Sequence, residues 1–187
     1  MIQETIVTTQ NSLGLPHIAP MGIHVEADKL IILPFRPSTT LDNLLESQTA
    51  VINYCDDVRV FAGCLTGRRD WPLKAAEKIN GRVLACALAH TEVEIIQIEE
   101  DAVRPKIIVR AVHTVNHAPF MGFNRAQYSV LEAAILISRL NRIPLEKIES
   151  EIAYLRIGLE KTAGAREREA WGWIMKLIDD FKSGGQA

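Results

Sequence analysis

The chain changes character about two thirds of the way along, and this change limits its fold more than any other feature. Up to about residue 122 it is built of short β-branched and apolar runs parted by brief turns. Beyond that point apolar residues recur at helical spacing. Parallel pairing needs a long crossover between strands, and strands this close together leave no room for one. The pattern therefore predicts an α+β protein: an antiparallel barrel over 1–122 and a three-helix subdomain over 123–187.

Strands are expected at Ile2–Thr9, Ile18–Val25, Lys29–Phe35, Ala50–Tyr54, Val58–Leu65, Arg82–His90, Glu92–Ile98 and Lys106–Val115. Glu26-Ala27-Asp28 reads as a hairpin turn, and Asp56-Asp57 as another. In the run from Glu92, acids alternate with Val93 and Ile95, the period of a half-exposed strand. Two short helices interrupt the strands. Leu41, Leu44 and Leu45 follow Ser38 or Thr39 as an N-cap, and Pro72–Ile79 runs up to Gly81. In the last third, Asn124 caps a helix over Arg125–Leu140 that is apolar almost all round, which predicts burial on several sides or in a subunit interface. Pro144 opens a second helix with the stripe Ile148, Ile152, Leu155 and Leu159. Gly164 separates it from a third, with Ala170, Ile174, Leu177, Ile178 and Phe181 facing inward. The tail Ser183–Ala187 is expected to fray.

Charge removes several function classes. Among 187 residues, 21 Lys+Arg stand against 23 Asp+Glu, a net charge of -2. A nucleic-acid binder needs a basic face, so that class is not expected. No run approaches the roughly 18 apolar residues of a membrane span, and no basic-then-apolar leader opens the sequence. The three cysteines, Cys55, Cys64 and Cys86, form no CxxC pair. They read as core fillers in a protein of the reducing cytoplasm.

Nucleotide loops, nucleophile elbows and HExxH are missing. His113 and His117 end a β-branched run and read as partly exposed histidines rather than metal ligands. Asp56-Asp57 and Glu99-Glu100-Asp101 read as solvated turns, and Thr66–Asp70 as an exposed basic one.

One segment carries more. Phe35-Arg36-Pro37-Ser38-Thr39-Thr40-Leu41-Asp42-Asn43-Leu44 joins a strand end, an Arg, three hydroxyls and a helix start. Free N–H groups and the positive end of the helix dipole, with hydroxyls and a guanidinium beside them, suit a phosphate. A plain Ser/Thr cap is the other reading.

This segment, with Ala50-Val51-Ile52-Asn53 after it, resembles the phosphate-binding stretch of FMN-binding split-barrel, flavin reductase-like proteins. Ala19-Pro20-Met21-Gly22-Ile23 resembles the strand that lies along the flavin ring. Pro119–Ala126, Glu132–Ile135 and Glu160–Gly164 resemble an uncharacterised group of archaeal and methylotroph split-barrel proteins with a helical C-terminal addition. The resemblance implies FMN as cofactor, at the interface of a homodimer. It implies an oxidoreductase of unknown substrate, with a nicotinamide or a pterin as possible partners. A flavin carrier or sensor, or a pterin-linked role in one-carbon metabolism, are the alternatives. The site residues it implies are Met21, Gly22, Arg36, Ser38, Thr39, Thr40, Asn43, Asn124 and Arg125. Asn124 and Arg125 stay open between a helix cap with a surface ion-pair partner and the rim of the flavin pocket.

Overall fold

A computed structural model describes residues 1–27 and 29–184. The expected turn residue Asp28 and the tail residues Gly185, Gln186 and Ala187 lie outside the described residues.

The chain forms two compact units. The first holds 1–55 and 71–120, and the second holds 56–70 and 121–187. The segment 56–70 thus groups with the C-terminal helices, although it is embedded in the strand region.

In the first unit, strands β1 (Ile2–Gln10), β2 (Pro16–Glu26), β3 (Lys29–Ile32), β4 (Thr49–Tyr54), β7 (Ala89–Glu99) and β8 (Lys106–Asn116) close into a barrel in the order β1-β2-β3-β8-β7-β4. Every pair is antiparallel. Closure leaves the barrel no unpaired edge. Inward-facing Val7, Ile23, Ile32, Ala50, Ile52, Val93, Ile107 and Val109 fill the interior. Helix α1 (Thr39–Ser47) plugs it with Leu41 and Leu44. Ser38 caps α1 by accepting the Leu41 N–H at 3.2 Å, and Gln48 ends it in the left-handed region.

Three local expectations fail here. Pro72–Ile79 is not a helix. Strand β5 (Leu73–Ala75) pairs with β6 (Arg82–Leu84), and the backbone N–H groups of 77–79 are taken by the Glu92 carboxylate instead of by helical carbonyls. The expected strand Arg82–His90 is two pieces, because the Ala87 N–H turns back to the Leu84 carbonyl and β7 starts at Ala89. Lys29–Phe35 keeps strand pairing only to Ile32, ahead of Pro34.

The second unit packs α2 (Val58–Leu65), α3 (Arg125–Ile137), α4 (Leu145–Thr162) and α5 (Ala165–Lys182) around one apolar core. The expected strand Val58–Leu65 is helix α2. Asp57 caps it, and Val58 and Ala62, one helical turn apart, enter the core. Asp57 is therefore no solvated turn. Its side chain is 2% exposed, and it accepts hydrogen bonds from the Arg59 guanidinium at 2.7 and 2.9 Å. On α3, Ala126, Val130, Ala133, Ala134 and Ile137 are buried in this core. Much of the helix's apolar surface is thus covered within the chain. Of the three cysteines, Cys64 is buried as expected, whereas Cys55 is half-buried and Cys86 is exposed, so these two are not core fillers.

Candidate flavin site

The phosphate-type turn forms as a strand end leading into a capped helix. Arg36, Ser38, Thr39, Thr40 and Asn43 all lie within this one segment. The first turn of any α-helix leaves N–H groups without intrahelical acceptors, which here are those of Thr39 and Thr40. Ser38 spends its hydroxyl on the cap. Thr39 is exposed, whereas Thr40 and Asn43 are buried. The Asn43 amide donates to the Thr9 hydroxyl at 3.1 Å, which fixes α1 to β1 rather than presenting the amide outward. Arg36 is exposed and pairs with Glu100 at 3.0 Å, while its backbone N–H bonds the Val103 carbonyl. Arg104 braces the same turn. It donates twice to the Leu33 carbonyl, at 2.8 and 3.2 Å, and its guanidinium lies 4.5 Å from the centre of the Phe35 ring. An open pocket of about 290 Å³ borders Arg36, Glu100, Asp101 and Ala102. Two backbone N–H groups hold Asp101 below the usual carboxylate range, Arg104 first and Val103 second.

Met21 and Gly22 lie mid-strand on β2, opposite Thr5 and Glu4. The Thr5 hydroxyl donates to the Met21 carbonyl at 2.9 Å. A Cβ on Gly22 would meet Ile2 Cγ2 at 3.0 Å, so the glycine admits a neighbouring side chain.

Asn124 and Arg125 belong to the second unit. Asn124 caps α3 by accepting from Ala126 at 2.7 Å and Gln127 at 3.4 Å, and it also accepts from the Thr162 hydroxyl at 3.2 Å. Its amide donates to the Thr162 carbonyl at 3.1 Å. These bonds join the start of α3 to the end of α4. Arg125 is exposed and lines a 170 Å³ pocket with Tyr128, Ser129, Tyr154 and Gly158.

The sequence reading missed a buried polar chain in the barrel. Glu92 is fully buried and accepts three backbone N–H groups, from Glu77 and Lys78 at 2.7 Å and from Ile79 at 3.0 Å. Burial alone would push its carboxyl up, but these donors and His90 together hold it below the usual range. His90, 2% exposed, places Nε2 3.4 Å from Glu92, and its Nδ1 lies 2.8 Å from His117 Nε2. The two imidazoles stack with ring centres 5.0 Å apart. With the Nε2 proton directed at the carboxylate, His90 Nδ1 accepts from His117. Burial first, and then nearby positive charge, lower the affinity of His117 for a proton. His113 faces Glu77 at 3.3 Å. Among the described residues no group of three side chains is arranged to hold a metal ion.

The architecture is that of the FMN-binding split barrels with added C-terminal helices. The chain belongs to the family described as protein of unknown function DUF447. The family's N-terminal domain matches residues 3–118 and its C-terminal domain residues 124–176. No curated protein matches the sequence. Among solved structures, an FMN-bound protein of the same family from Methanosarcina mazei is similar over 94% of both chains, at 21% identity and a TM-score of 0.83. The 2-nitrobenzoate 2-nitroreductase of Pseudomonas fluorescens is similar over 61% of this chain and 64% of its own, at 20% identity and a TM-score of 0.52. An FMN-binding protein of Thermus thermophilus with bound 1-cyclohex-2-enone is similar over 60% and 69%, at 13% identity and a TM-score of 0.53. Among the described residues no helix is long and apolar enough to cross a membrane.

Proposed function

We propose that this protein binds FMN and acts as a flavin-dependent oxidoreductase on a small substrate. The observation that carries the reading is the likeness to an FMN-bound family member over 94% of both chains. The donor set at the start of α1 fits a phosphate monoester: two N–H groups without helical acceptors, the exposed Thr39 hydroxyl, and a guanidinium held by one exposed carboxylate. Arg36, Thr39 and Thr40 hold the phosphate in this reading, while Ser38 and Asn43 shape the turn. Arg36 exchanges Glu100 for the phosphate. The Met21–Gly22 stretch of β2 lies along the ring. Arg125 supplies a cation for an anionic substrate, and Asn124 sets the position of α3 and with it Arg125. When bound, FMN supplies a reversible two-electron carrier. The homodimer with FMN at its interface, and a cytoplasmic location, belong to the same proposal.

A titration with FMN, followed by an assay of NADH and NADPH oxidation with and without added flavin, tests this. Binding with turnover supports the oxidoreductase. Tight FMN with no turnover of either nicotinamide under any acceptor leaves the carrier reading, and no binding removes both.

A further inference from the structure

Two cysteines read from the sequence as core fillers sit side by side near the surface of the barrel unit. Cys55 follows β4 directly, and Cys86 lies in the turn between β6 and β7. Their sulfurs are 3.7 Å apart, which is van der Waals contact, and Cys55 Sγ also lies 3.9 Å from the Cys86 carbonyl. The flanking backbone is pinned. The Leu88 N–H donates to the Tyr54 carbonyl at 2.8 Å, and the Ala87 N–H to the Leu84 carbonyl at 3.0 Å. Bond formation needs the sulfurs to close to about 2.05 Å, a distance within reach of side-chain rotation from contact. Cys86 is exposed and Cys55 half-buried, the arrangement of an attacking thiol with a resolving thiol behind it. Cys64 provides the contrast. It is buried in the second unit, and burial pushes its thiol up to about 11.

We propose that Cys55 and Cys86 form a redox-active dithiol that exchanges with small disulfides of the glutathione class. The Cys86 thiolate attacks one sulfur of RSSR, forms a mixed disulfide and releases RS⁻. The Cys55 thiolate then attacks the Cys86 sulfur, which closes the protein disulfide and releases the second RS⁻. The two protons from the protein thiols end on the two RSH. The protein is oxidised by two electrons, and the small disulfide is reduced by two. The crosslink joins the two ends of the loop 55–86, which contains the whole segment 56–70 of the second unit. Neither the chemistry nor its test depends on flavin.

The test uses the full chain incubated with oxidised glutathione, then alkylated under denaturing conditions and mapped without reductant. Trypsin cuts after Arg59, Arg68 and Arg82, so the three cysteines fall in three different peptides. The expected product is a Cys55–Cys86 crosslinked peptide, an intact mass lower by about 2 Da before alkylation, and Cys64 as the alkylated thiol. Cys55→Ser should instead accumulate a stable glutathione adduct on Cys86, because the resolving thiol is gone. A wild-type protein that keeps glutathione adducts on Cys86, crosslinks through Cys64, or stays fully reduced while Cys55→Ser is also unmodified would overturn the proposal.

Discussion

Replacing Glu92 by Gln keeps its shape but removes its charge and reverses one hydrogen-bonding partner. Glu92 Oε2 accepts from Lys78 and Ile79, and Oε1 accepts from Glu77. A Gln can serve one of these two sites with its carbonyl, but its NH₂ then faces a donor at the other. With the carbonyl at the Oε2 position, the Glu77 N–H and the His90 Nε2–H both lose their acceptor and face the new NH₂ in a fully buried place. Losing a hydrogen bond to a charged acceptor costs about 1.5–3 kcal/mol, and a stranded buried donor adds about 1 or more. The expected loss is about 3 kcal/mol, which lowers the melting temperature by roughly 6–12 °C in a chain of this size. Thermal and urea unfolding followed by circular dichroism reads the effect. The pH dependence sharpens it. The folded carboxyl sits below its unfolded value, so its contribution is present above the usual carboxylate range and fades as pH falls through the lowered folded value. The gap between wild type and Glu92→Gln is therefore widest near neutral pH and narrows in acid. A gap under about 0.5 kcal/mol at pH 7, or one that stays constant down to acid unfolding, would refute this account of the buried carboxylate.

Asn124→Ala removes the α3 cap together with both ties to Thr162; it should cost about 2 kcal/mol by chemical denaturation and leave FMN affinity unchanged by calorimetry. Asp57→Ala strips the α2 cap and leaves the Arg59 guanidinium with Glu169 in place of two carboxylate partners, with an expected loss of about 2–3 kcal/mol in urea unfolding. Arg36→Ala and Thr39→Val should each weaken FMN about tenfold or more in a fluorescence titration, with the melting temperature of the unliganded protein nearly unmoved.

The local signals that the sequence carried well were those written in neighbouring residues. The Ser38 cap and the Leu41–Leu44 spacing mark α1, and Asn124 marks α3 in the same way. Glu92 shows the limit. The alternation with Val93 correctly separates two faces of a strand, but the face holding Glu92 is not solvent. It is covered by the turn at 77–79, which lies 13–15 residues away in sequence. No periodicity in β7 reports that cover. The same holds for His90, which ends an expected strand in the sequence but partners His117, 27 residues away, in the fold. Helix α2 was hidden differently. Its Val58, Val60 and Phe61 favour strand by composition, yet Asp57 before them and the Val58–Ala62 spacing were helical signals already present. Tertiary packing in the second unit decided between them.

The turn at Arg36–Asn43 is proposed to hold the phosphate of FMN. Isothermal titration of the unliganded protein with FMN, riboflavin and FAD, repeated on Thr39→Val, tests it most directly. The expected result is tight FMN, riboflavin weaker by at least about a hundredfold for want of the phosphate, FAD weaker than FMN, and a Thr39→Val loss seen with FMN but not with riboflavin. Equal affinity for FMN and riboflavin, or a Thr39→Val loss of the same size for both, would contradict it.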